Sequence, residues 1–154
     1  MNAISRSAVA GAAALMVAML ASANGANAGE TPAPDGAKVY FVAPQDGATL
    51  KSPVRIVFGL SGMGVAPAGV DAENTGHHHL LVDVPPLGEG PDGADELDAN
   101  IPSDEHHRHF GKGQTETMLE LAPGKHTLQL VLGDKDHIPH APPVASQVIT
   151  ITVE

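Results

Sequence analysis

Residues 121–132 read Leu-Ala-Pro-Gly-Lys-His-Thr-Leu-Gln-Leu-Val-Leu, a Pro-Gly turn signal followed by apolar residues at alternate positions. A period of two places Leu128, Leu130 and Leu132 on one face of a strand. No stretch sustains the helical period of about 3.6 residues. The sequence therefore predicts an all-β fold, an antiparallel β-sandwich of about seven strands. Further short apolar runs, separated by Gly- and Pro-rich turns, cover residues 39–42, 54–60, 78–84, 115–121 and 148–153.

Two segments resemble bacterial immunoglobulin-like domains. Residues 44–50, Pro-Gln-Asp-Gly-Ala-Thr-Leu, followed by Ser52-Pro53 and an alternating strand, are similar to the opening of many such domains. Residues 121–130 resemble the strand near their far end. The resemblance implies an immunoglobulin-like sandwich, and it carries no information on function because one fold hosts many activities.

The beginning of the chain has the organisation of a secretory signal peptide, predicted over residues 1–28. A positive charge at Arg6 precedes an apolar run over residues 8–21 and the small residues Ala26-Asn27-Ala28, as export signals require. The apolar run is shorter than the roughly 20 residues that span a bilayer. We therefore expect a periplasmic or secreted protein with no membrane span after cleavage. The absence of cysteine excludes disulfides and thiolate metal sites.

The rest of the chain is predicted to form one domain over residues 38–154, after a flexible Pro-, Gly- and Ala-rich lead-in over residues 29–37. With one Tyr, three Phe and no Trp, the core must consist of Val, Leu and Ile, which favour strands. The formal charge of −10 becomes about −11 once Arg6, the only charged residue of the signal peptide, is removed. Such a charge argues against nucleic acid as a partner.

The segment 88–105 is the longest irregular stretch, and it carries seven acidic residues and no lysine or arginine before Arg108. Calcium is one interpretation, but the spacing does not follow the EF-hand loop. A solvated surface loop is the favoured interpretation.

Nine histidines form the most unusual feature of the sequence. Strand alternation places His77 and His79 on one face, and it likewise pairs His107 with His109. Alternate residues lie roughly 6.5–7 Å apart at their Cα atoms, so two such imidazoles can share one metal ion. The histidines fall in four places: His77, His78 and His79; His106, His107 and His109; His126; and His137 with His140.

These patterns predict a transition-metal site. Copper or zinc suits imidazole donors in an exported protein without cysteine, and copper is placed slightly ahead by its position in the divalent affinity series. Asp104 and Asp134 are further candidates to orient ring nitrogens. The predicted metal ligands are His77, His79, His107, His109, His137 and His140. The predicted supporting or structural residues are His78, His106, His126, Asp83 and Asp136, and the candidate soft ligands are Met63 and Met118.

Structural roles compete with metal binding at each position. His126 follows a Pro-Gly turn at the start of a strand, where a ring commonly holds a nearby turn, so a structural role is favoured there. His78 alternates with core residues and is expected to be packed in the core. The clusters as a whole could also form a hydrogen-bond network or a pH-responsive surface, although metal binding is favoured.

The histidine-bearing segments resemble a bacterial family of exported proteins, the domain-of-unknown-function family 4399. The similarity covers about Val39 to Glu154. It implies an exported domain with His-rich segments as its hallmark and no known reaction. The longer acidic insertion between Pro86 and Ile101 departs from the family pattern. The resemblance rests on residues 58–69, Gly76-His77-His78-His79-Leu80-Leu81-Val82-Asp83, residues 106–111, Gly113-Gln114-Thr115-Glu116 and His137-Ile138-Pro139-His140.

Three functions are compatible with these features. The leading hypothesis is a periplasmic copper- or zinc-binding protein in metal handling, with a metal ion and an envelope protein as partners. The alternative is a non-catalytic module of the cell envelope that binds a protein or a glycan. A metal-dependent enzyme would need an open coordination position and a base such as Glu105 or Asp83. We expect no enzyme, because the serines lack a Gly-x-Ser-x-Gly turn and no phosphate-binding loop precedes a helix.

Overall fold

The computed structural model describes residues 31–154. The predicted signal peptide, residues 1–28, lies outside the described residues. Within residues 31–154, no helix is both long and apolar enough to cross a membrane.

The described chain is built almost entirely from strands, with one short 3-10 helix at Gly93–Leu97. Seven of the strands have four or more residues, which agrees with the expected number, and two have only two residues. The strands are β1 (Lys38–Ala43), β2 (Thr49–Leu50), β3 (Val54–Ser61), β4 (Gly64–Val65), β5 (Thr75–Val82), β6 (His107–Phe110), β7 (Glu116–Leu119), β8 (Gly124–Gly133) and β9 (Ile149–Val153).

The strands form two sheets, and the predicted all-β sandwich is confirmed. One sheet has the order β1-β3-β7, and the other has the order β2-β9-β8-β5-β4, with β6 paired to β5. The pairings among the longer strands are antiparallel, as expected. The two-residue strands differ from that expectation, because β2 pairs with β9 and β4 pairs with β5 in parallel.

The core lies between the sheets and consists of aliphatic side chains at alternate strand positions. Leu128, Leu130 and Leu132 of β8 are fully buried there, together with Leu80 of β5 and Ile56 of β3. Burying apolar area in this way is the main stabilising contribution to folding.

Strand β5 is buried on both of its faces, and this positions the histidines. Its residues Leu80 and Val82 contribute to the core between the sheets. On the opposite face, Leu81 forms a second apolar cluster with Val131 of β8 and Ile101 of the acidic loop. The outer face of the six-stranded sheet is therefore covered by loops at this point, and His77 and His79 share that face with Leu81.

The segment before β1 is hydrogen-bonded to the domain from the first described residue onward. The backbone N–H of Ala33 donates to the carbonyl oxygen of Ala141 at 2.9 Å, and the N–H of Ala141 donates to Thr31 at 2.9 Å. The hydroxyl of Thr31 also donates to Asp134 Oδ2 at 2.6 Å. Hydrogen bonding of the domain thus begins inside the segment predicted as a flexible lead-in.

Candidate metal centre

Strand register brings histidines from two strands side by side. His79 of β5 lies directly opposite His109 of β6. On the other side of β5, His77 lies opposite Gly133 of β8. Because β5 and β6 are antiparallel neighbours, the side chains of His79 and His109 point to the same face of the sheet.

A fourth histidine, His137, reaches the same place from the loop after β8. Ring centroids lie 4.8 Å apart for His77 and His79, 5.0 Å for His77 and His109, and 4.9 Å for His77 and His137. The rings of His109 and His137 are 4.7 Å apart. We call His77, His79, His109 and His137 the His cluster.

Three members of the His cluster are close enough to hold one metal ion. One ring nitrogen each of His77, His109 and His137 lies within 4.8 Å of the others. The fourth member is adjacent, since His79 Nε2 lies 3.0 Å from His77 Nε2. Metal–nitrogen bonds are about 2.0–2.1 Å long, so nitrogens at this separation can also bind a common ion.

The loop 134–138 holds His137 in place through the carboxylate of Asp134. Asp134 Oδ1 accepts hydrogen bonds from the backbone N–H groups of Asp136 at 2.9 Å and Ile138 at 3.0 Å. His137 itself has a positive φ of 69°, a left-handed conformation that is uncommon for residues other than glycine. Such strained residues concentrate at functional sites. Burial opposes the charge of Asp134, but the hydrogen bonds from Thr31, Ile138 and Asp136 outweigh it and lower its pKa.

Two glycines leave room for the imidazole rings. A Cβ atom on Gly133 would lie 2.8 Å from His79 Nε2. On Gly111 it would overlap the ring of His109 at Cε1. Real Cβ contacts are longer than this, so a larger residue at either position would displace a cluster histidine.

The buried imidazoles are neutral at pH 7. His77 and His79 are both 0% exposed. Burial, followed by the neighbouring imidazoles of His109 and His137, lowers the pKa of His77 to about 4. Burial and then His77 and His109 lower the pKa of His79 to about 2. Burial, with His137, also lowers the pKa of His109. Neutral imidazole is the form that binds metal ions.

Several ring nitrogens of the His cluster lack a hydrogen-bond partner among the described residues. They are Nδ1 of His77, Nδ1 of His79 and Nε2 of His109, all of them buried. An unpaired buried polar atom lowers stability by about 1–3 kcal/mol. Several such atoms in one place therefore indicate a binding site. A set of neutral imidazoles with free nitrogens fits a transition-metal ion.

Two of the six predicted ligands lie outside the His cluster and have other partners. His107 Nδ1 is 2.9 Å from Asp104 Oδ1, near the surface. His140 is fully buried, and its ring nitrogens each lie 3.2 Å from a backbone carbonyl oxygen, of Leu132 and of Thr75. The structure therefore brings together four of the predicted ligands and separates these two from them.

The histidines predicted as structural occupy separate positions. His78 packs in the core between the sheets, with its ring 5.0 Å from that of Phe58. His106 Nδ1 donates to the carbonyl oxygen of Val82 at 2.9 Å. His126 bridges two turns, since its Nδ1 lies 2.7 Å from Asp83 Oδ2 and its Nε2 lies 2.8 Å from the carbonyl oxygen of Ala122. Burial acts to lower the pKa of His126, but these hydrogen bonds outweigh burial and raise it.

The remaining predicted residues have other contacts. Asp136 pairs with Lys135 Nζ at 2.7 Å on the surface. Met63 packs against the core between the sheets, and Met118 is 57% exposed on β7. The sequence interpretation missed Gly111, Gly133 and Thr31. A glycine at the end of a strand was the available signal for the first two, because it can mark a close approach of other atoms.

Comparison with known proteins gives a family and no function. No curated protein matches the chain, and no solved structure matches it. Residues 56–154 match a family described as Domain of unknown function (DUF4399). The match includes all four members of the His cluster and covers more than half of the chain, somewhat less than the resemblance in the sequence suggested. The chain belongs to the DUF4399 family.

Proposed function

We propose that this protein binds one transition-metal ion in the His cluster. The observation that carries the proposal is the convergence of four imidazoles from two strands and a loop, with buried nitrogens that have no hydrogen-bond partner among the described residues. A metal ion would occupy one nitrogen of each imidazole that it binds. The electrostatics agree, because neutral imidazoles do not have to lose a proton to bind.

Zn²⁺ or Cu²⁺ is the proposed ion. Both accept imidazole nitrogen, and Cu²⁺ binds such donors most tightly in the divalent series. The two candidate thioethers lie elsewhere, Met63 against the core and Met118 exposed on β7. Cu⁺ prefers soft sulfur ligands, so a site made only of nitrogen donors favours the divalent ions. Because the chain carries a predicted signal peptide, we propose that it handles metal ions in the periplasm or outside the cell.

The test is metal analysis of the mature chain, residues 29–154, purified without a histidine tag. We expect about one equivalent of zinc or copper per chain after loading and desalting, and a saturable isotherm in calorimetry. His77→Ala and His109→Ala should each abolish stoichiometric binding. His106→Ala is the matched control, because His106 lies next to β6 but its ring nitrogen contacts the carbonyl oxygen of Val82. Absence of binding, or equal binding by all variants, would refute the proposal and favour an envelope interaction module.

Whether the site is closed or open depends on His79. If all four imidazoles ligate, the ion is enclosed and the protein is a binder; if His79 stays outside, three ligands leave a position for water, as in catalytic zinc sites. Co²⁺ substitution distinguishes the two. A visible spectrum that does not change on addition of azide indicates the closed site that we propose, whereas an azide-induced change indicates an open one.

A further inference from the structure

The two innermost histidines of the His cluster are out of contact with solvent. His77 and His79 are fully buried, whereas His109 and His137 are partly exposed. An ion coming from solution must therefore reach one of the outer rings first.

His109 also lines a surface groove. The groove has a volume of about 470 Å³ and runs between β6 and β7, which are neighbouring strands of different sheets. Several of its side chains are of the types that attract or ligate metal cations, namely Asp104, His107, His109, Met118 and Glu120. The basic side chain of Arg108 also lines the groove.

Within the groove, His107 is held in one tautomer. Three groups donate to Asp104 Oδ1: the backbone N–H of His106 and of His107, each at 2.8 Å, and the ring Nδ1–H of His107 at 2.9 Å. A neutral ring that donates through Nδ1 carries its lone pair on Nε2. Carboxylate–histidine pairs of this kind orient and strengthen metal ligands in known sites.

The position of His107 relates it directly to the His cluster. His107 and His109 are two residues apart on β6, so they point to the same face and lie roughly 7 Å apart at their Cα atoms. His109 in turn lies opposite His79. His107 therefore lies on the same face of β6 as His109, two residues along the strand from a member of the His cluster.

We propose that Asp104 and His107 form an outer capture site for divalent transition-metal cations, from which the ion passes to His109 and the rest of the His cluster. The inference rests on the proposed function. Asp104 and Glu120 attract the cation and His107 supplies the first nitrogen ligand. The capture site accelerates loading without changing the final coordination.

The experiment uses Co²⁺ as a spectroscopic probe of the tag-free mature chain in a stopped-flow instrument. We expect His107→Ala to slow association roughly tenfold, and Asp104→Asn to slow it several-fold with a weaker dependence on salt. The equilibrium dissociation constant should change by less than about threefold, because the cluster ligands are intact. Glu89→Gln is the control, since it removes an exposed carboxylate that does not line the groove.

The possible outcomes separate this inference from the proposed function. Unchanged association rates in both groove variants overturn the capture site. The ion would then enter past His137 and its loop. A loss of equilibrium binding in His107→Ala also overturns it, because His107 would then be a permanent ligand. If the wild-type chain binds no Co²⁺, Zn²⁺ or Cu²⁺ at equilibrium, the metal centre itself is refuted and the capture site with it.

Discussion

His77, His78 and His79 are consecutive residues of one strand, yet their side chains lie in two different environments. His77 and His79 belong to the His cluster on the outer face of the six-stranded sheet, while His78 packs against Phe58 between the sheets. The alternation of side chains along a strand separates them. Adjacent histidines of β5 therefore have different neighbours, Phe58 for His78 and the other imidazoles of the His cluster for His77 and His79.

The low pKa values of the cluster histidines predict a loss of stability in mild acid. His77 titrates near 6.5 when unfolded and at about 4 when folded. Between these values the unfolded state binds a proton that the folded state excludes, so the free energy of unfolding falls as the pH falls. For His77 the loss is on the order of 3 kcal/mol, complete below about pH 4.

Urea unfolding of the metal-free protein between about pH 7.5 and pH 4.5 measures this loss. The double variant His77→Gln/His79→Gln should lose much less stability over this range than the wild type. His106→Gln, at an exposed position, should keep the wild-type dependence. The same slope in the double variant would mean that the cluster histidines are not excluded from protonation.

A substitution at Gly133 should disturb the His cluster without removing any of its imidazoles. A Cβ atom there would meet His79 Nε2 at 2.8 Å and His79 Cδ2 at 3.0 Å. We expect Gly133→Ala to lower stability by about 1–3 kcal/mol and metal affinity by roughly tenfold, as His79 is pushed aside. Gly64→Ala is the control, because its nearest neighbour, Thr75 Cγ2, would be at an ordinary 3.4 Å. Calorimetry with Zn²⁺ checks both variants, and equal affinities would contradict the prediction.

At the scale of elements, the His cluster combines side chains from two strands with one side chain from a loop. Strands β5 and β6 fix three of the histidines through their register, whereas His137 depends on the loop after β8. That loop is held by Asp134, which accepts hydrogen bonds from two of its backbone N–H groups and from Thr31. The carbonyl oxygen of His137 also accepts from the N–H of Ile101 at 2.8 Å, which links it to the acidic loop.

Removal of the Asp134 carboxylate should therefore release His137. We expect Asp134→Ala to destabilise the protein by about 1–3 kcal/mol, because it leaves partly buried donors unpaired, and to weaken metal binding at least about tenfold. Asp136→Ala, in the same loop, removes an exposed ion pair with Lys135 and should change stability by less than about 0.5 kcal/mol. Thermal unfolding measures the stability of the two variants, and calorimetry measures their metal affinity. Equal effects would show that the Asp134 hydrogen bonds do not position His137.

At the scale of the whole molecule, the His cluster lies outside the main core. The aliphatic core between the sheets, which includes Ile56, Leu80, Leu130 and Ile151, lies on the opposite face of the six-stranded sheet from His77 and His79, which share their face with Leu81. Its stability comes from apolar burial, which needs no metal ion. We therefore expect the sandwich to differ from a zinc finger, in which metal binding and folding are the same event.

We accordingly predict that the metal-free protein remains folded. In a chelator, its nuclear magnetic resonance spectrum should stay dispersed and thermal unfolding should stay cooperative. Free metal at about 100 times the dissociation constant should stabilise it by about 2.7 kcal/mol, which raises Tm by roughly 10 °C. His77→Ala should unfold cooperatively without any rise on metal addition. Unfolding of the wild type in chelator would show that the metal organises the fold itself.

Much of the architecture could be predicted from local pattern. Alternating runs such as residues 126–132 and the turn at Pro123-Gly124 predicted strands, since the period of side-chain exposure is a property of the strand itself. The same alternation correctly assigned His78 to the face opposite His77 and His79. The parallel pairing of β2 and β4 was not predicted, because two-residue strands carry too little pattern.

The sequence determined that histidines would be concentrated on particular strand faces and in one loop; tertiary structure decided which of them meet. His107 and His109 are equivalent in the sequence pattern, as are His137 and His140. Strand register places His109 beside His79, whereas His107 is hydrogen-bonded to Asp104. The loop conformation brings His137 into the His cluster, whereas His140 contacts backbone carbonyl oxygens. Register and loop conformation depend on contacts between residues distant in the chain, and for that physical reason no local pattern contains them.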